Sequence, residues 1–276
     1  MNKRLMIVLT LLLSMAFTMA MDEQRIFDAA NKGDLAKVNS LVQKDPKLAK
    51  AKNMDGLTPL HVAAFKGHKD VCILLLSKGA DINARNNNGL TPLHMAAING
   101  QMDICKLLIS KGANINAQNN DGGNPLHLAA LNGQTAICEL LISKGAKVNG
   151  KTKDDTTPLH FAAIKGKKDT ASLLLAKGAD VNALNKNNKT PLDFAGTIND
   201  KETIDLIVQK GGIAGAKLAK KPGSSSDKSG AKPGPKPGAS LDFAGTSSDK
   251  GTLDLLGGGS APGGKRPSSS GTKPKP

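Results

Sequence analysis

Two kinds of helical pattern alternate along most of the chain. Leu60 and Ala63 lie on one face at the helical period of about 3.6 residues, which predicts a helix with a narrow apolar surface. After Gly67, the residues Val71 and Leu75 predict a second helix with a broader apolar stripe. The pattern therefore predicts pairs of short helices that pack closely against each other.

This pair of segments recurs every 33 residues. Each pair opens with Thr or Asn followed by Pro and Leu, a favourable N-cap followed by a residue suited to the first helical turn. The openings lie at Thr58, Thr91, Asn124, Thr157 and Thr190. A glycine then ends each second helix, where a left-handed conformation is needed. These glycines are Gly79, Gly112, Gly145 and Gly178.

The in-phase Thr-Pro-Leu-His phrases resemble the ankyrin-repeat family over about residues 22–212. The resemblance implies an all-α solenoid of stacked helix–turn–helix units with projecting β-turn loops. It predicts an ankyrin-repeat domain at 21–212 with about six units. These are an N-terminal cap at 21–55, inner repeats at 56–88, 89–121, 122–154 and 155–187, and a C-terminal cap at 188–212.

Four departures from the repeat fall in its last two units. Asp155 and Asn188 replace a turn glycine, and both residue types tolerate positive φ relatively well. In the C-terminal cap, Asp193 replaces the histidine of the phrase, and Thr197 to Lys201 predict an insertion in place of a tight glycine break. A terminal repeat must turn one face to water, so such departures are expected there.

The two ends of the chain differ from the repeats. Residues 1–20 begin with Lys3 and Arg4 and continue with an apolar run, which predicts a secretory signal peptide cut before Met21. The run is too short for stable membrane insertion. We therefore expect an exported protein, periplasmic or secreted.

Residues 213–276 predict a disordered tail rich in Pro, Gly, Ser and Lys. These 64 residues include 32 Pro, Gly or Ser and carry a net charge of +7, almost half of the +15 of the whole chain. Such a composition cannot bury enough apolar area to offset the entropy of ordering. Within the tail, residues 241–256 echo the C-terminal cap, most clearly where Leu241 to Thr246 repeat Leu192 to Thr197.

The periodic histidines and cysteines first suggest chemistry. His61, His94, His127 and His160 recur at intervals of 33, so stacking would hold them too far apart for one zinc ion. The resemblance implies that each histidine forms a hydrogen bond with the Thr that opens its phrase and connects adjacent loops.

Cys72, Cys105 and Cys138 are also 33 apart, and we expect free thiols because stacked neighbours lie beyond disulfide reach. No catalytic constellation stands apart from the repeat, so we expect no enzyme and no cofactor.

Variable positions within the repeat predict the binding face. In ankyrin proteins the turn tips and the first-helix face line a concave groove that binds partners. Matching by position gives a protein-binding set of Met54, Leu57, Phe65, Lys66, Asn87, Leu90, Ile98, Asn99, Leu131, Asn132, Ile164 and Lys165. One interpretation is an apolar stripe edged by lysines, suited to an acidic, amphipathic protein. The other is that the stripe is half-buried between repeats and that the lysines favour helix C-termini.

Three functions therefore remain open. The first is a monomeric, non-catalytic scaffold that binds another protein outside the cytoplasm. The second is a polyanion binder that acts through the basic tail, and the third is a tether that links the repeats to an envelope surface. Trp and Tyr, the usual anchors of tight interfaces, are absent from the chain, which predicts a moderate affinity for a protein partner.

Overall fold

The computed structural model describes residues 21–218, all of them in helices, turns and loops. The N-terminal unit contains helix α1 over residues 21–32, helix α2 at Leu35–Lys44 and a 3-10 helix at Pro46–Lys50. Ion pairs at its start join the Asp22 carboxylate to Lys44 (Nζ to Oδ2, 2.6 Å) and to Arg25. The predicted signal peptide, residues 219–276 and the echo at 241–256 lie outside the described residues.

Four inner units follow, each a pair of antiparallel helices. They are α3 Pro59–Lys66 with α4 Lys69–Ser77, α5 Pro92–Ile98 with α6 Met102–Ser110, α7 Pro125–Leu131 with α8 Thr135–Ser143, and α9 Pro158–Ile164 with α10 Lys168–Ala176. The last unit has α11 Pro191–Ile198, α12 Lys201–Gln209 and the short α13 Gly215–Leu218. The predicted all-helical solenoid is confirmed.

Each first helix begins with a reciprocal pair of hydrogen bonds between the phrase residues. In α3, the Thr58 hydroxyl accepts the backbone N–H of His61, and His61 Nδ1 accepts the backbone N–H of Thr58 at 3.0 Å. Pro59 fills the first position, where its missing N–H has no intrahelical partner to lose. Asn124 replaces threonine at the start of α7 and makes the same bonds. These local bonds explain why the phrase fixes where each first helix starts.

The helices form two layers that share one core. First helices pack on first helices along the stack, and second helices pack on second helices. A fully buried leucine lies in each inner unit of both layers, so every repeat is sealed by the next. These leucines are Leu60, Leu93, Leu126 and Leu159 in the first layer, and Leu75, Leu108, Leu141 and Leu174 in the second.

The expected substitutes for glycine adopt positive φ. Asp155 has φ 57° and Asn188 has φ 54°, at positions where Gly56, Gly89 and Gly122 also have positive φ. The predicted insertion at Thr197 to Lys201 is wrong. Asn199, with φ 52°, directly replaces the glycine that ends each earlier first helix, because Asn tolerates the left-handed region better than most residues do.

The folded chain continues past residue 212, so the predicted start of the tail at 213 is wrong. The Ile213 N–H donates to Asn182 Oδ1 at 2.8 Å, and the Gly215 N–H donates to Asp193 Oδ2 at 2.8 Å. Gly215 is buried, and a Cβ there would overlap the carbonyl oxygen of Asn188. The segment ends in α13 and lies against the last repeat.

Candidate binding face

The loop between successive units projects as a turn, called here a finger, which an asparagine side chain shapes. In the first finger, Asn53 Oδ1 accepts the backbone N–H groups of Asp55 (3.1 Å) and Leu57 (2.8 Å). Gly56 closes the turn with a bond from its N–H to the Asn53 carbonyl at 2.9 Å. Because one side chain satisfies the turn, the tip residue Met54 is left 97% exposed.

The other fingers repeat this turn. Asn86, Asn119 and Asn185 take the role of Asn53 in the second, third and fifth fingers, and Thr152 takes it in the fourth. Backbone bonds also join each finger to the next, from Asn87 N–H to Asp55 O, Asn120 to Asn88, Lys153 to Asp121 and Lys186 to Asp154, at 2.8–3.0 Å. The fingers are therefore one continuous row.

Basic side chains tie the first fingers together along one side of the row. Lys52 Nζ donates to the Arg85 carbonyl at 3.2 Å. The Arg85 guanidinium donates to the Gln118 carbonyl, and its second nitrogen lies 3.3 Å from Asn120 Oδ1. Two of the positive charges near the fingers thus also hold neighbouring units in register.

The structure places the predicted binding residues in three groups. Met54, Asn87, Asn99, Asn132 and Lys165 are exposed, and Phe65, Lys66, Ile98, Leu131 and Ile164 are half-buried. Leu57 and Leu90 are buried, at 3% and 5% exposure, so their placement on the tips is wrong. Both leucines lie at the base of a finger, where the Leu57 and Leu90 carbonyls accept the N–H groups of Asn53 and Asn86 at 3.0 Å. The Leu90 carbonyl also accepts a hydrogen bond from His61 Nε2 at 3.0 Å.

The apolar stripe of Phe65, Ile98, Leu131 and Ile164 is half-buried, as the second interpretation expects. The Phe65 carbonyl accepts hydrogen bonds from Asn99 Nδ2 (2.8 Å) and Gln101 Nε2 (3.0 Å) of the next unit. The Lys66 ammonium lies 5.9 Å from the centre of the Phe65 ring. The stripe thus contributes to stacking and still presents part of its apolar surface, while its role in binding stays a prediction.

A basic cluster at the C-terminal end of the finger row lies outside the predicted protein-binding set, although matching by position places one of its members, Lys153, on a turn tip. Lys151, Lys153, Lys186 and Lys189 are all exposed on the fourth and fifth fingers, where the carboxylates are Asp154 and Asp155. Alignment of the fingers could have found the cluster, since residues 153 and 186 follow positions 54, 87 and 120 at the same period. We call this set the finger lysines.

The four periodic histidines have structural partners. In each, Nδ1 accepts a backbone N–H at the start of its own helix, and Nε2 donates to a carbonyl 29 residues further on. These carbonyls belong to Leu90, Gly123, Thr156 and Lys189. Burial lowers the pKa of each of these histidines to about 4. The expected bonds to the helix start and to the adjacent loop are confirmed.

The three cysteines are buried within residues 21–218. Cys72, Cys105 and Cys138 are buried free thiols, and burial raises the pKa of each to about 12, so the reactive thiolate is scarce. In this part of the chain, no group of three or more His, Cys, Asp or Glu residues is placed to hold a metal ion. The same residues contain no helix that could cross a membrane.

Comparison with known proteins agrees with the architecture. The family model described as ankyrin repeats (3 copies) matches residues 26–119, 78–152 and 126–218, which together cover more than half of the chain. The matches to curated proteins are shorter, and they span only about an eighth or less of those proteins.

Three of these relatives illustrate the range. The probable E3 ubiquitin-protein ligase XBOS33 of Oryza sativa subsp. japonica is 46% identical over 61 residues, 22% of this chain and 12% of its own. The serine/threonine-protein kinase VIK of Arabidopsis thaliana is 47% identical over 55 residues, 20% of this chain and 13% of its own. Ankyrin repeat domain-containing protein 35 of Homo sapiens is 32% identical over 62 residues, 22% of this chain and 6% of its own.

Proposed function

Because the chain belongs to the ankyrin-repeat family, we propose that it is a non-catalytic scaffold that binds another protein outside the cytoplasm. The ligase and kinase activities named for two relatives stay with those proteins, since the shared segment is 61 and 55 residues long. A fold alone does not fix a function, so the proposal depends on the surface that this chain presents.

The observation that supports the proposal is that the repeat contains two kinds of position, one that recurs in every unit and holds the stack together and one that varies from unit to unit on the exposed tips. Histidines, buried leucines and finger asparagines recur in unit after unit, and their bonds and packing hold the stack together. The tips vary in type along the same row, from Met54 through Asn87 and Asn120 to Lys153 and Lys186. A rigid row of varied, exposed side chains is suited to recognition of one partner.

The chemistry of this face favours an acidic, amphipathic partner. Half-buried Leu131 and Ile164 supply apolar contact, and Lys165 beside them is exposed. The finger lysines extend this positive charge along the fourth and fifth fingers. Charge complementarity would steer an acidic partner to this end of the row and set its orientation.

A second candidate function is supported by the charge of residues 213–276. Their net charge of +7 suits a polyanion, or the tethering of the repeats to an anionic envelope surface. Binding of this kind weakens steeply as salt rises, because it releases counterions. Contact through the stack would also weaken with salt at the finger lysines, but its apolar part would persist, since apolar contacts are not screened.

Affinity capture from the cell envelope and medium, with the full mature chain as bait, tests both functions. A second bait ends at Leu218, and a third carries Phe65→Ser, Ile98→Ser and Leu131→Ser. Stack-mediated binding predicts that the shortened bait retains the same protein partner and that the triple variant loses it. Capture that disappears with the tail, together with salt-sensitive heparin retention, would support the polyanion function instead.

Export is a separate part of the proposal, and N-terminal sequencing of the native protein tests it. The apolar run after Lys3 and Arg4 supports cleavage ahead of Met21. We expect a mature chain that starts at or near Met21. A native chain that retains Met1 or Lys3 would contradict processing.

A further inference from the structure

Four Asn-Gly sequences lie on the exposed loops of the repeats, and they differ in the hydrogen bonds of the asparagine side chain. They are Asn88–Gly89, Asn99–Gly100, Asn132–Gly133 and Asn149–Gly150. All four asparagines are exposed. Glycine places no side chain in the way of its own backbone nitrogen, so Asn-Gly is the sequence in which that nitrogen most readily attacks the asparagine side chain.

Hydrogen bonds restrain the side chains of three of these asparagines. Asn99 Nδ2 donates to the Phe65 carbonyl at 2.8 Å, and Asn132 Nδ2 donates to the Leu128 carbonyl at 2.9 Å. Asn149 is held at both ends, since Nδ2 donates to the Gly178 carbonyl and Oδ1 accepts the Asp180 N–H. Each of these side chains must break its bonds before it can rotate toward the following nitrogen.

The Asn88 side chain has no hydrogen-bond partner among the described residues. Its backbone is fixed by the finger, because its N–H donates to Asn86 Oδ1 (3.1 Å) and its carbonyl accepts the Asn120 N–H (3.0 Å). Gly89 suits the next position, because its φ is 74° and a Cβ there would come within 2.8 Å of the Asn120 backbone nitrogen. The turn therefore favours the Asn-Gly sequence and leaves the Asn88 side-chain amide free to rotate.

We propose that Asn88 is a site of spontaneous deamidation on the finger row. The Gly89 nitrogen loses its proton and forms a bond to Asn88 Cγ, and the Cγ–Nδ2 bond breaks as ammonia leaves. The resulting cyclic imide takes up one water and opens at either carbonyl, to aspartate or to isoaspartate. No oxidant or reductant is needed, and the only co-reactant is water.

The fold accommodates the aspartate product. Asp55, Asp121 and Asp154 occupy the equivalent position in the first, third and fourth fingers. Isoaspartate instead adds one carbon to the backbone, which disturbs the bond from the Gly89 N–H to the Asn86 carbonyl. Either product adds a negative charge to the row, and any change in partner binding that follows rests on the proposed function. The chemistry itself does not.

Peptide mapping by mass spectrometry tests the proposal on the full mature chain, incubated at mildly alkaline pH with and without urea. In the folded protein, one side-chain hydrogen bond that must break first slows the attack by about fivefold, and two slow it further. The Gly89, Gly133 and Gly150 N–H groups each donate to a carbonyl three residues earlier, so this bond must break at all three sites and does not separate them, whereas the Gly100 N–H makes no such bond. We therefore expect the mass increase of deamidation at Asn88 well before Asn132 and Asn149, with Asn99 nearer to Asn88, and similar rates at all four in urea.

An Asn88→Gln variant serves as the control, because a six-membered ring forms much more slowly, and an Asn88→Asp variant marks the product peptide. Conversion of Asn132 or Asn149 as fast as that of Asn88 in the folded chain would overturn the proposal. So would an Asn88 that stays intact while the same residue converts in urea. Because none of these readouts involves a partner, they are independent of the proposed binding function.

Discussion

The inner repeats and the C-terminal unit use the same slot for side chains of opposite hydrogen-bonding character. In α9, His160 Nε2 donates to the Lys189 carbonyl of the next finger at 3.1 Å. In α11, Asp193 occupies this slot, and its Oδ2 accepts the Gly215 N–H at 2.8 Å. The residue at this position therefore matches the backbone group that it faces. A histidine N–H donates to a carbonyl between repeats, and the Asp193 carboxylate accepts an N–H at the end of the stack.

Burial differs in the same way between the two regions. Leu159 and Phe161 of the fourth inner unit are at most 2% exposed, whereas their equivalents Leu192 and Phe194 in the last unit are half-buried. An inner unit is covered on both sides, whereas among residues 21–218 a repeat lies on one side of α11 and α12. The last unit is held by hydrogen bonds to residues 213–215 as well as by apolar packing.

As the pH falls, acid should destabilise the inner repeats before it affects the hydrogen bonds that the Asp193 carboxylate accepts from Thr190 and Gly215. Each buried histidine has its pKa lowered from 6.5 to about 4, so the unfolded chain takes up protons first. Their stabilisation is complete above about pH 6.5 and is lost as the pH falls from there to about 4. Four such groups should lower the free energy of unfolding by more than about 3 kcal/mol between about pH 7 and about pH 5.

Backbone hydrogen bonds and the Thr190 hydroxyl lower the pKa of Asp193 against the opposing effect of burial. Its contribution is complete above its ordinary value of 3.8 and is lost only below it. Urea melts across this range measure both windows. The His68→Gln variant is the control, because His68 is half-buried and lies outside the set of His61, His94, His127 and His160. A stability that stays level between about pH 7 and about pH 5 would contradict the neutral, buried histidines.

Equivalent leucines should show the difference in packing. Leu126→Ala opens a cavity between two covered units and should cost about 2–5 kcal/mol. Leu192→Ala removes the same atoms from a half-buried position and should cost less than half as much, because neighbours and solvent can fill the space. Denaturant melts of the two variants give both values. Equal losses would mean that the last unit is as tightly sealed as the inner ones.

Truncation locates the C-terminal boundary of the fold. A chain that ends at Gly212 loses the bonds of Ile213 and Gly215 to Asn182, Thr190 and Asp193, and should lose about 2–3 kcal/mol. A chain that ends at Leu218 keeps these bonds and should differ from the full chain by less than about 0.5 kcal/mol. Thermal melts compare the three lengths. If both truncated chains melt at the same temperature as the full chain, the hydrogen bond between Asp193 and Gly215 does not stabilise the stack.

The smallest expected effect on stability comes from two buried threonines that differ in hydrogen bonding. Thr170 Oγ1 lies 2.7 Å from Thr135 Oγ1 across two second helices, whereas the buried Thr203 hydroxyl has no hydrogen-bond partner within residues 21–218. Thr203→Val should therefore stabilise the protein by about 1 kcal/mol, and Thr170→Val should destabilise it by a similar amount. Thermal melts test this, and we expect the melting temperature to rise for Thr203→Val and to fall for Thr170→Val. Destabilisation by both variants would show that Thr203 has a polar partner.

The helix starts and the stack could be predicted from the sequence because they depend on local bonds. Thr58, Pro59 and His61 act within a single turn, and the period of 33 then places every later copy. The burial of Leu57 and Leu90 could not be predicted this way, because it depends on how each finger packs against residues distant in sequence. The bond from His61 to the Leu90 carbonyl, 29 residues later, is one such contact.

The order of residues 213–218 was missed for a similar reason. This segment looks like the start of a tail rich in Gly and Ala, and its contacts to Asp193 and Asn182 are distant in sequence. The replacement of histidine by Asp193 was the available signal. Likewise, the finger lysines become a cluster only after neighbouring fingers are aligned, since Lys153 and Lys186 are far apart along the chain.

The most direct test of the proposed binding face compares two charge reversals of equal size. One variant carries Lys153→Glu, Lys186→Glu and Lys189→Glu on the fingers. The other carries Lys78→Glu, Lys111→Glu and Lys144→Glu, at the exposed ends of the second helices. Binding through the finger face predicts that the first variant loses affinity for the captured partner by about tenfold or more, while the second stays near the parent. Equal losses, or a loss confined to the second variant, would contradict recognition through the finger row.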